Sequence, residues 1–167
     1  MLEAQALLLR PWAAGAGPGT AAPRRVIADP ATGRPLGFAR RQPAAVPPWL
    51  HWLVPPALEV HEASDEPLLF TVQRFWSLGP FWEVSDADGH RVAVLRRGRV
   101  EDRLGRDLAV RARAADGTET WLYGPGGPAL ATAARTVDGV RLSFTDAVAG
   151  EPFVKMALLA AALVGHD

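Results

Sequence analysis

The end of the chain, EPFVKMALLAAALVGHD, limits the available folds more than any other segment. Thirteen residues from Pro152 to Val164 carry one charge, that of Lys155, and nearly all the residues after it are strong helix formers. Pro152 suits the first turn of a helix. The sequence therefore predicts a helix over about residues 152–164, and the rest of the chain must provide a place for its apolar surface.

The apolar surface of this predicted helix decides its environment. A membrane span needs roughly 20 apolar residues, and this run is bounded by Glu151 on one side and by a Gly-His-Asp ending on the other. A helix lying on a membrane needs one charged face, whereas every face is apolar here. We therefore expect no transmembrane span and a helix buried inside its own domain. The side chains expected to be most buried are Met156, Leu158, Leu159 and Leu163.

Short alternating strands separated by acidic or glycine-containing turns recur between Arg24 and Thr145. The hairpins read RRVIADPATGRPLGFARR, ALEVHEASDEPLLFTVQR, FWEVSDADGHRVAVLRR, LAVRARAADGTETWLYG and TAARTVDGVRLSF. Alternation with period two indicates strands with one buried face. Asp-Gly pairs at 88–89, 116–117 and 138–139 supply the backbone conformations that tight hairpin turns require. With AQALLLRPW near the start, ten to twelve strands are predicted.

So many consecutive hairpins would leave exposed sheet edges unless the sheet closes on itself. Side chains alone fill a barrel of about eight strands, so a larger barrel encloses a wider space that the apolar helix can fill. The predicted fold is therefore all-β, a closed antiparallel barrel of about twelve strands around a buried C-terminal helix. At 167 residues the chain is expected to form a single domain over residues 1–167.

Composition excludes several classes of function. The 18 basic and 18 acidic residues balance, so no overall attraction to nucleic acid is expected. The absence of cysteine excludes disulfides, thiolate metal sites, a cysteine nucleophile and palmitoylation. The opening MLEAQALLLRPW lacks the basic segment and long apolar run of a signal peptide, so a cytoplasmic location is expected. The preference for arginine over lysine is typical of a GC-rich, bacterial genome.

The series of hairpins followed by a terminal apolar helix resembles the phospholipid scramblase and LURP-one group of the tubby C-terminal-like superfamily. The residues that carry the resemblance are EVSDADGHRVAVLRR, ALEVHEASDEPLLFTVQR and the ending RLSFTDAVAGEPFVKMALLAAALV. It covers the chain from roughly Arg24 to the end. The resemblance implies a twelve-stranded barrel around a central hydrophobic helix and a scramblase-like association with lipids.

The chain departs from the scramblase pattern in two respects. Scramblases carry an acidic, calcium-associated stretch before the helix, whereas here the carboxylates of DGVRLSFTDAVAGE are scattered at Asp138, Asp146 and Glu151. Scramblases also carry a proline-rich tail and a cysteine cluster for acylation, and neither is present. Calcium binding and a lipid anchor are therefore not expected.

Motifs for metal binding and catalysis are weak. The run DADGH at Asp86–His90 resembles the start of a calcium loop, but Arg91 and Arg97 stand where that loop requires glycine and glutamate, so a plain hairpin turn is expected. The four histidines lack metal-ligand spacing, the serines lack a nucleophile-elbow context, and GPGGP at 124–128 lacks the lysine of a phosphate loop. No enzyme activity, metal or cofactor is predicted.

Arginines in the stretch LRRGRVEDRLGR are the first candidate binding residues. Guanidinium groups suit phosphate oxygens, so several arginines on one rim of the barrel would suit a lipid headgroup. The alternative is a solvated face on which Glu101, Asp102 and Asp107 pair with the arginines. The predicted headgroup-binding residues are Arg96, Arg97, Arg99 and Arg103.

The segment VPPWLHWLVPP, from Val46 to Pro56, is the second candidate. Tryptophans favour membrane interfaces and protein contacts because one end of the ring is apolar and the other donates a hydrogen bond. Trp49 and Trp52 are therefore predicted to contact a membrane or a partner. In the alternative, this loop folds over the open end of the barrel and covers the helix.

Together these features predict a non-catalytic binding module with a peripheral affinity for an anionic phospholipid surface. The rival hypothesis is a protein-interaction or structural domain with no lipid role.

Overall fold

The computed structural model describes residues 1–11, 25–42, 57–62, 67–76, 80–124 and 126–165. One helix, α1, spans Pro152–Gly165, and a single 3₁₀ turn at Asp146–Val148 precedes it. The strands are β1 Ala6–Pro11, β2 Arg25–Ala28, β3 Pro35–Arg41, β4 Ala57–His61, β5 Leu68–Trp76, β6 Pro80–Asp86, β7 Arg91–Arg96, β8 Arg99–Asp102, β9 Asp107–Arg113, β10 Glu119–Leu122, β11 Ala129–Thr136 and β12 Gly139–Phe144.

The twelve strands form a closed barrel in which each strand pairs antiparallel with its neighbours in sequence. The ring closes between β1 and β12, where Ala6 lies opposite Ser143 and Leu9 lies opposite Val140. Closure satisfies the backbone groups that a free edge would expose. The predicted fold class, a closed antiparallel barrel of about twelve strands with a C-terminal helix, is confirmed.

Helix α1 lies in the interior of the barrel. Nine consecutive residues, from Lys155 to Leu163, are buried, so no side of the helix faces water over that length. Leu158 and Leu159 are fully inaccessible, and Met156 and Leu163 are exposed by 5% and 1%. Every one of the twelve strands contributes at least one side chain to the core cluster that contains these residues. This enclosure keeps the all-apolar surface of the helix away from water.

Lys155, the one charged residue inside the helical run, is buried at the start of α1. Its Nζ lies 3.4 Å from the backbone oxygen of Ala4 and 5.5 Å from the ring centroid of Phe144. The aliphatic stem therefore packs in the core while the amine meets a carbonyl and an aromatic face at the end of the barrel. Within the described parts of the chain, no helix is long and apolar enough to cross a membrane.

The two ends of the barrel are distinguished by the direction of α1. The helix begins beside Ala4, which precedes β1, and we call this the helix-entry end. It ends at Gly165 beside the β7–β8 turn, and we call this the helix-exit end. Because the strands alternate in direction, successive turns lie at opposite ends: the β6–β7, β8–β9 and β10–β11 turns at the helix-entry end, and the β7–β8, β9–β10 and β11–β12 turns at the helix-exit end.

Aspartate side chains build several of the turns. Asp102 Oδ1 accepts the backbone N–H groups of Leu104 at 2.8 Å and Arg106 at 2.9 Å, and Asp102 Oδ2 pairs with the Arg106 guanidinium. In the β6–β7 turn, Oδ1 of Asp86 likewise accepts the backbone N–H groups of Asp88 and His90. Such side-chain hydrogen bonds hold the chain in a turn conformation and so help to fix the register of the two strands that the turn connects.

Replacing Leu159 by arginine tests the enclosure of the helix. A buried, unpaired charge costs several kcal/mol, which is comparable to the stability of a whole domain. We expect Leu159→Arg to abolish cooperative folding, measured by chemical denaturation. The matched control is Phe153→Arg in the exposed first turn of the same helix, which should fold normally. A soluble, cooperatively unfolding Leu159→Arg protein would contradict the buried position of α1.

Replacing Asp102 by asparagine tests the aspartate turns through their pH dependence. The backbone N–H of Arg106 is the main cause that holds the pKa of Asp102 below its usual 3.8, and the Arg106 side chain adds to it. A lowered pKa in the folded state means that the ionised carboxylate stabilises the fold above the unfolded-state pKa, and that this contribution disappears as pH falls through the folded-state pKa. Asp102→Asn should therefore reduce stability at pH 7, with a difference from the parent that narrows below about pH 4. A difference that stays constant down to pH 2, measured by urea unfolding, would show that ionisation of Asp102 is unimportant.

Candidate functional site: an arginine-lined pocket at the helix-exit end

A pocket of about 240 Å³ opens at the helix-exit end of the barrel. Arginines dominate its lining, together with two tryptophans, Leu95, Gly98 and the last turn of α1. Because α1 forms part of the wall, the pocket lies where the helix stops and the barrel interior meets solvent. The arginines are Arg74, Arg96, Arg97, Arg99 and Arg111, the tryptophans are Trp82 and Trp121, and the helix residues are Ala161, Val164 and Gly165. These residues are hereafter the arginine pocket.

Arg74 reaches the pocket because it continues the inward-facing row of its strand. On β5, Phe70 and Val72 are fully buried, and Arg74 follows them two residues later on the same face. Arg111 follows buried Ala109 on β9 in the same way. The two arginines are thus the last members of core-facing rows, placed where the interior gives way to water.

Three arginines of the pocket lie near aromatic rings. A guanidinium held against a ring loses less freedom when it binds a ligand, because its position is already restricted. The distances from the guanidinium carbon to the ring centroid are 5.9 Å for Arg74 and Trp82, 4.8 Å for Arg96 and Phe81, and 5.9 Å for Arg111 and Trp121.

Arg111 has a structural role in addition to its place in the wall. Its Nη1 lies 3.4 Å from Oε1 of Glu119, a carboxylate that is almost completely buried. A methyl group placed on Gly165 would lie within 4 Å of both side chains, so the pair sits beside the last residue of α1. The end of a helix carries partial negative charge, which a neighbouring arginine offsets. Arg111 therefore partly offsets the negative charge of both Glu119 and the helix terminus.

Arg96 and Arg97 differ from the other arginines in their electrostatic surroundings. Arg99 forms an ion pair with Asp107 at 3.1 Å, whereas neither Arg96 nor Arg97 forms an ion pair with any residue that the structure describes. The alternative in which acidic residues pair with the arginines thus holds for Arg99, but not for Arg96 and Arg97 among the described residues. The rim of the pocket keeps an excess of positive charge.

Trp121 adds a further donor to the wall of the pocket. The residue is 3% exposed, and its indole Nε1 is buried with no hydrogen-bond partner among the described residues. Buried tryptophan N–H groups normally find an acceptor. A set of arginines and one indole N–H is rich in donors, which suits an oxyanion such as a phosphate group.

The turn between β7 and β8 holds Arg97 in an unfavourable backbone conformation. Arg97 has a φ of +42° and Gly98 a φ of +82°, and Arg97 is the only non-glycine residue in the described ranges with a positive φ. Asparagine, aspartate or glycine is the usual residue at the first of two such positions. The backbone N–H of Arg111 donates to Gly98 O at 2.7 Å, so the turn is tied to β9. Residues in sparsely populated backbone conformations are concentrated at functional sites, so the positive φ of Arg97 makes this turn a candidate site.

The structure separates the four predicted headgroup residues. Arg96, Arg97 and Arg99 line the arginine pocket, but Arg103 lies in the β8–β9 turn at the helix-entry end, where its carbonyl accepts a hydrogen bond from Arg91. Three of the four thus lie at one rim of the barrel, and Arg103 lies at the opposite end. The reason is β8, a four-residue strand that carries the chain from one end of the barrel to the other between Arg99 and Arg103.

The other predicted sites have different outcomes. Trp49 and Trp52 lie outside the described residues, and the strand ends that flank their segment, Arg41 and Ala57, are at the helix-exit end. DADGH forms the hairpin turn expected from the sequence, in which the ligand-type atoms of Asp86, Asp88 and His90 lie within 4.8 Å of one another on an exposed surface. Asp86 uses its carboxylate there to accept backbone N–H groups.

Arg111 and Trp121 were not predicted as site residues. The available signal was the alternation of LAVRARA, which places Arg111 in phase with buried Ala109. A charged residue in phase with the core at the end of a strand indicates the mouth of a barrel. Strands β5, β7, β9 and β10 meet at one pocket because the sheet closes into a barrel. The sequence of a single hairpin cannot predict this meeting.

Comparison with known proteins yields no match: no family model, no curated protein and no solved structure is similar to this chain.

Replacing Arg97 by asparagine tests whether the positive φ of Arg97 lowers the stability of the protein. Asparagine adopts the left-handed conformation more easily than arginine, so Arg97→Asn should raise the free energy of unfolding by about 1 kcal/mol. Arg96→Asn is the matched control, because Arg96 has no positive φ and loses its contact with Phe81. We expect no gain from the control in urea denaturation. Equal stability of Arg97→Asn and the parent would show that the turn is unstrained.

Proposed function

We propose that this protein is a non-catalytic binding module, scramblase-like or LURP-one-like in character, that binds anionic phospholipid headgroups peripherally through the arginine pocket. The observation that supports the proposal is the convergence of five arginines on one pocket at one end of the barrel. A cytoplasmic location at the membrane surface belongs to the same proposal.

The donor set favours phosphate oxygens as the group that is bound. Arginine presents a planar fork of N–H donors that matches a phosphate in a bidentate manner. Among the described residues near the pocket, the buried carboxylate of Glu119 is paired with Arg111, so it repels an anion less than an unpaired carboxylate would. Arg96 and Arg97 are exposed at the rim, where a headgroup in a membrane surface can reach them.

The strength of such binding follows from the number of basic residues. Each one near an anionic surface contributes about 1 kcal/mol, so three to five arginines give roughly 3–5 kcal/mol and a dissociation constant near the millimolar range. Exposed charges are screened by salt over about 10 Å at 0.1 M. Binding should therefore be weak, dependent on anionic lipid and sensitive to ionic strength.

A protein-interaction domain with no lipid role is the second candidate. It is favoured by exposed apolar side chains at the helix-entry end: Leu104 in the β8–β9 turn, Tyr123 after β10 and Phe153 in the first turn of α1. Under this hypothesis the arginines serve solubility and the helix terminus. Binding to vesicles would then show no dependence on lipid charge.

Vesicle sedimentation with charge-reversal variants separates the two candidates. The parent should bind vesicles containing phosphatidylserine at low ionic strength, release them in high salt and ignore pure phosphatidylcholine. Arg96→Glu with Arg97→Glu should abolish binding, since two attractive charges become repulsive.

The matched control carries the same change in charge at the other end of the barrel. Arg34 and Arg103 lie in exposed turns at the helix-entry end, so Arg34→Glu with Arg103→Glu should bind like the parent. Absence of binding by the parent at low salt, or equal loss in both double variants, would remove lipid recognition by the arginine pocket.

A further inference from the structure

Arginines are concentrated at the helix-exit end well beyond the arginine pocket. Strands on all sides of the barrel contribute to this rim. Among the described residues, the acidic residues at this end are Asp116, Glu119 and Asp138, and two of the rim arginines are paired with acids further along the strands, Arg40 with Glu59 and Arg99 with Asp107. The backbone positions at this end that carry arginine are Arg25, Arg40, Arg41, Arg74, Arg96, Arg97, Arg99, Arg111, Arg113 and Arg135. We call this set of arginines the basic rim.

The helix-entry end has the opposite balance. Its acidic residues outnumber its basic residues, and several of the acids are held in turns. The acidic residues are Glu3, Asp29, Glu62, Asp86, Asp88, Asp102, Asp107, Asp146 and Glu151, and the basic residues are Arg34, Arg91, Arg103, Arg106 and Lys155. Because the net charge of the chain is zero, the positive excess of the basic rim requires a negative excess elsewhere. The barrel therefore carries an electric dipole along the axis of α1.

An exposed apolar residue lies at the tip of the same end. Val137, in the β11–β12 turn, is fully exposed, and it follows Arg135 of the basic rim by two residues. Tight turns favour glycine, asparagine, aspartate and serine, and valine has no conformational reason to be there. An apolar tip beside a basic rim has the character of a surface that contacts the boundary between lipid headgroups and acyl chains.

We infer that the barrel docks end-on to an anionic phospholipid bilayer, with the basic rim against the headgroups, α1 roughly along the membrane normal, Val137 at the lipid surface and the helix-entry end in water. This inference rests on the proposed function and adds the orientation and the full contact surface. The reverse orientation would bring the negative excess to an anionic surface. A side-on orientation would bring only part of the basic rim to the membrane.

End-on docking makes arginines outside the arginine pocket contribute to binding. Arg41, at the end of β3, and Arg135, at the end of β11, are exposed and do not line the pocket. Arg41→Glu with Arg135→Glu should weaken binding to phosphatidylserine vesicles at least tenfold, since each charge at the surface accounts for about fivefold. Binding equal to that of the parent would restrict the contact to the arginine pocket and overturn end-on docking.

The orientation can be measured directly because the chain contains no cysteine. Val137→Cys and Leu104→Cys each place one thiol at an exposed apolar turn position, at the helix-exit and helix-entry ends respectively. Each variant is labelled with a nitrobenzoxadiazole fluorophore and titrated with phosphatidylserine vesicles at low salt, after thermal unfolding has shown that it folds like the parent.

We expect a blue shift and an increase in emission for the label at position 137 and no change for the label at position 104. Equal changes at both positions, or a change at 104 alone, would overturn the orientation while vesicle sedimentation still reports binding. Absence of sedimentation by the unlabelled parent would instead refute the proposed function, and the inference would fall with it.

Discussion

The enclosure of α1 is the interaction on which the rest of the structure depends. An α-helix with its side chains is about 10–12 Å across, and this one has no polar face from Met156 to Leu163. Small residues, Ala157 and Ala160–Ala162, keep it slim enough to fit inside the barrel, while Leu158, Leu159 and Leu163 fill the space to the strands. Helix and barrel are therefore interdependent, since the interior would be empty without α1 and α1 would be exposed without closure.

A filled interior determines where ligands can bind. The centre of the barrel is occupied, so the surface of the strands and the two ends remain. At the helix-exit end, α1 stops while the strands around it carry inward-facing Arg74, Arg111 and Glu119 in place of apolar residues. The arginine pocket is the space above the helix terminus, and the partial negative charge of that terminus helps to explain why arginines are tolerated there. The same arrangement offers positive charge to an external anion.

Much of the fold could be predicted from local patterns. The apolar run predicted α1, the alternation and Asp-Gly pairs predicted the hairpins, and the need to close the sheet predicted the barrel. Strand β8 was not predicted, because three of its four residues are charged and it is too short to show alternation. Without β8, nothing in the sequence indicated that Arg99 and Arg103 lie at opposite ends of the barrel. Membership of the scramblase and LURP-one group, and any role at a membrane, stay predictions.

The site was less predictable than the fold because it is assembled by closure. Arg74, Arg96, Arg111 and Trp121 come from four different strands, and their meeting depends on register and on the position where α1 ends. The strained φ of Arg97 is likewise invisible in the sequence, where Arg97-Gly98 has the form of an ordinary turn. Residue types could suggest that arginines cluster, but only the geometry shows which arginines line one pocket.

The central claim, that the arginine pocket binds a phosphate-bearing headgroup, is tested most directly by nuclear magnetic resonance. The ¹⁵N-labelled protein is titrated with a short-chain phosphatidylserine below its micelle concentration. The indole Nε1–H of Trp121 and the guanidinium Nε–H of Arg96 and Arg97 should shift in a saturable manner, while the same class of signal from Arg91 and Arg106 at the helix-entry end stays fixed. Shifts that are absent, that never saturate, or that are equal at the two ends would contradict a headgroup site in this pocket.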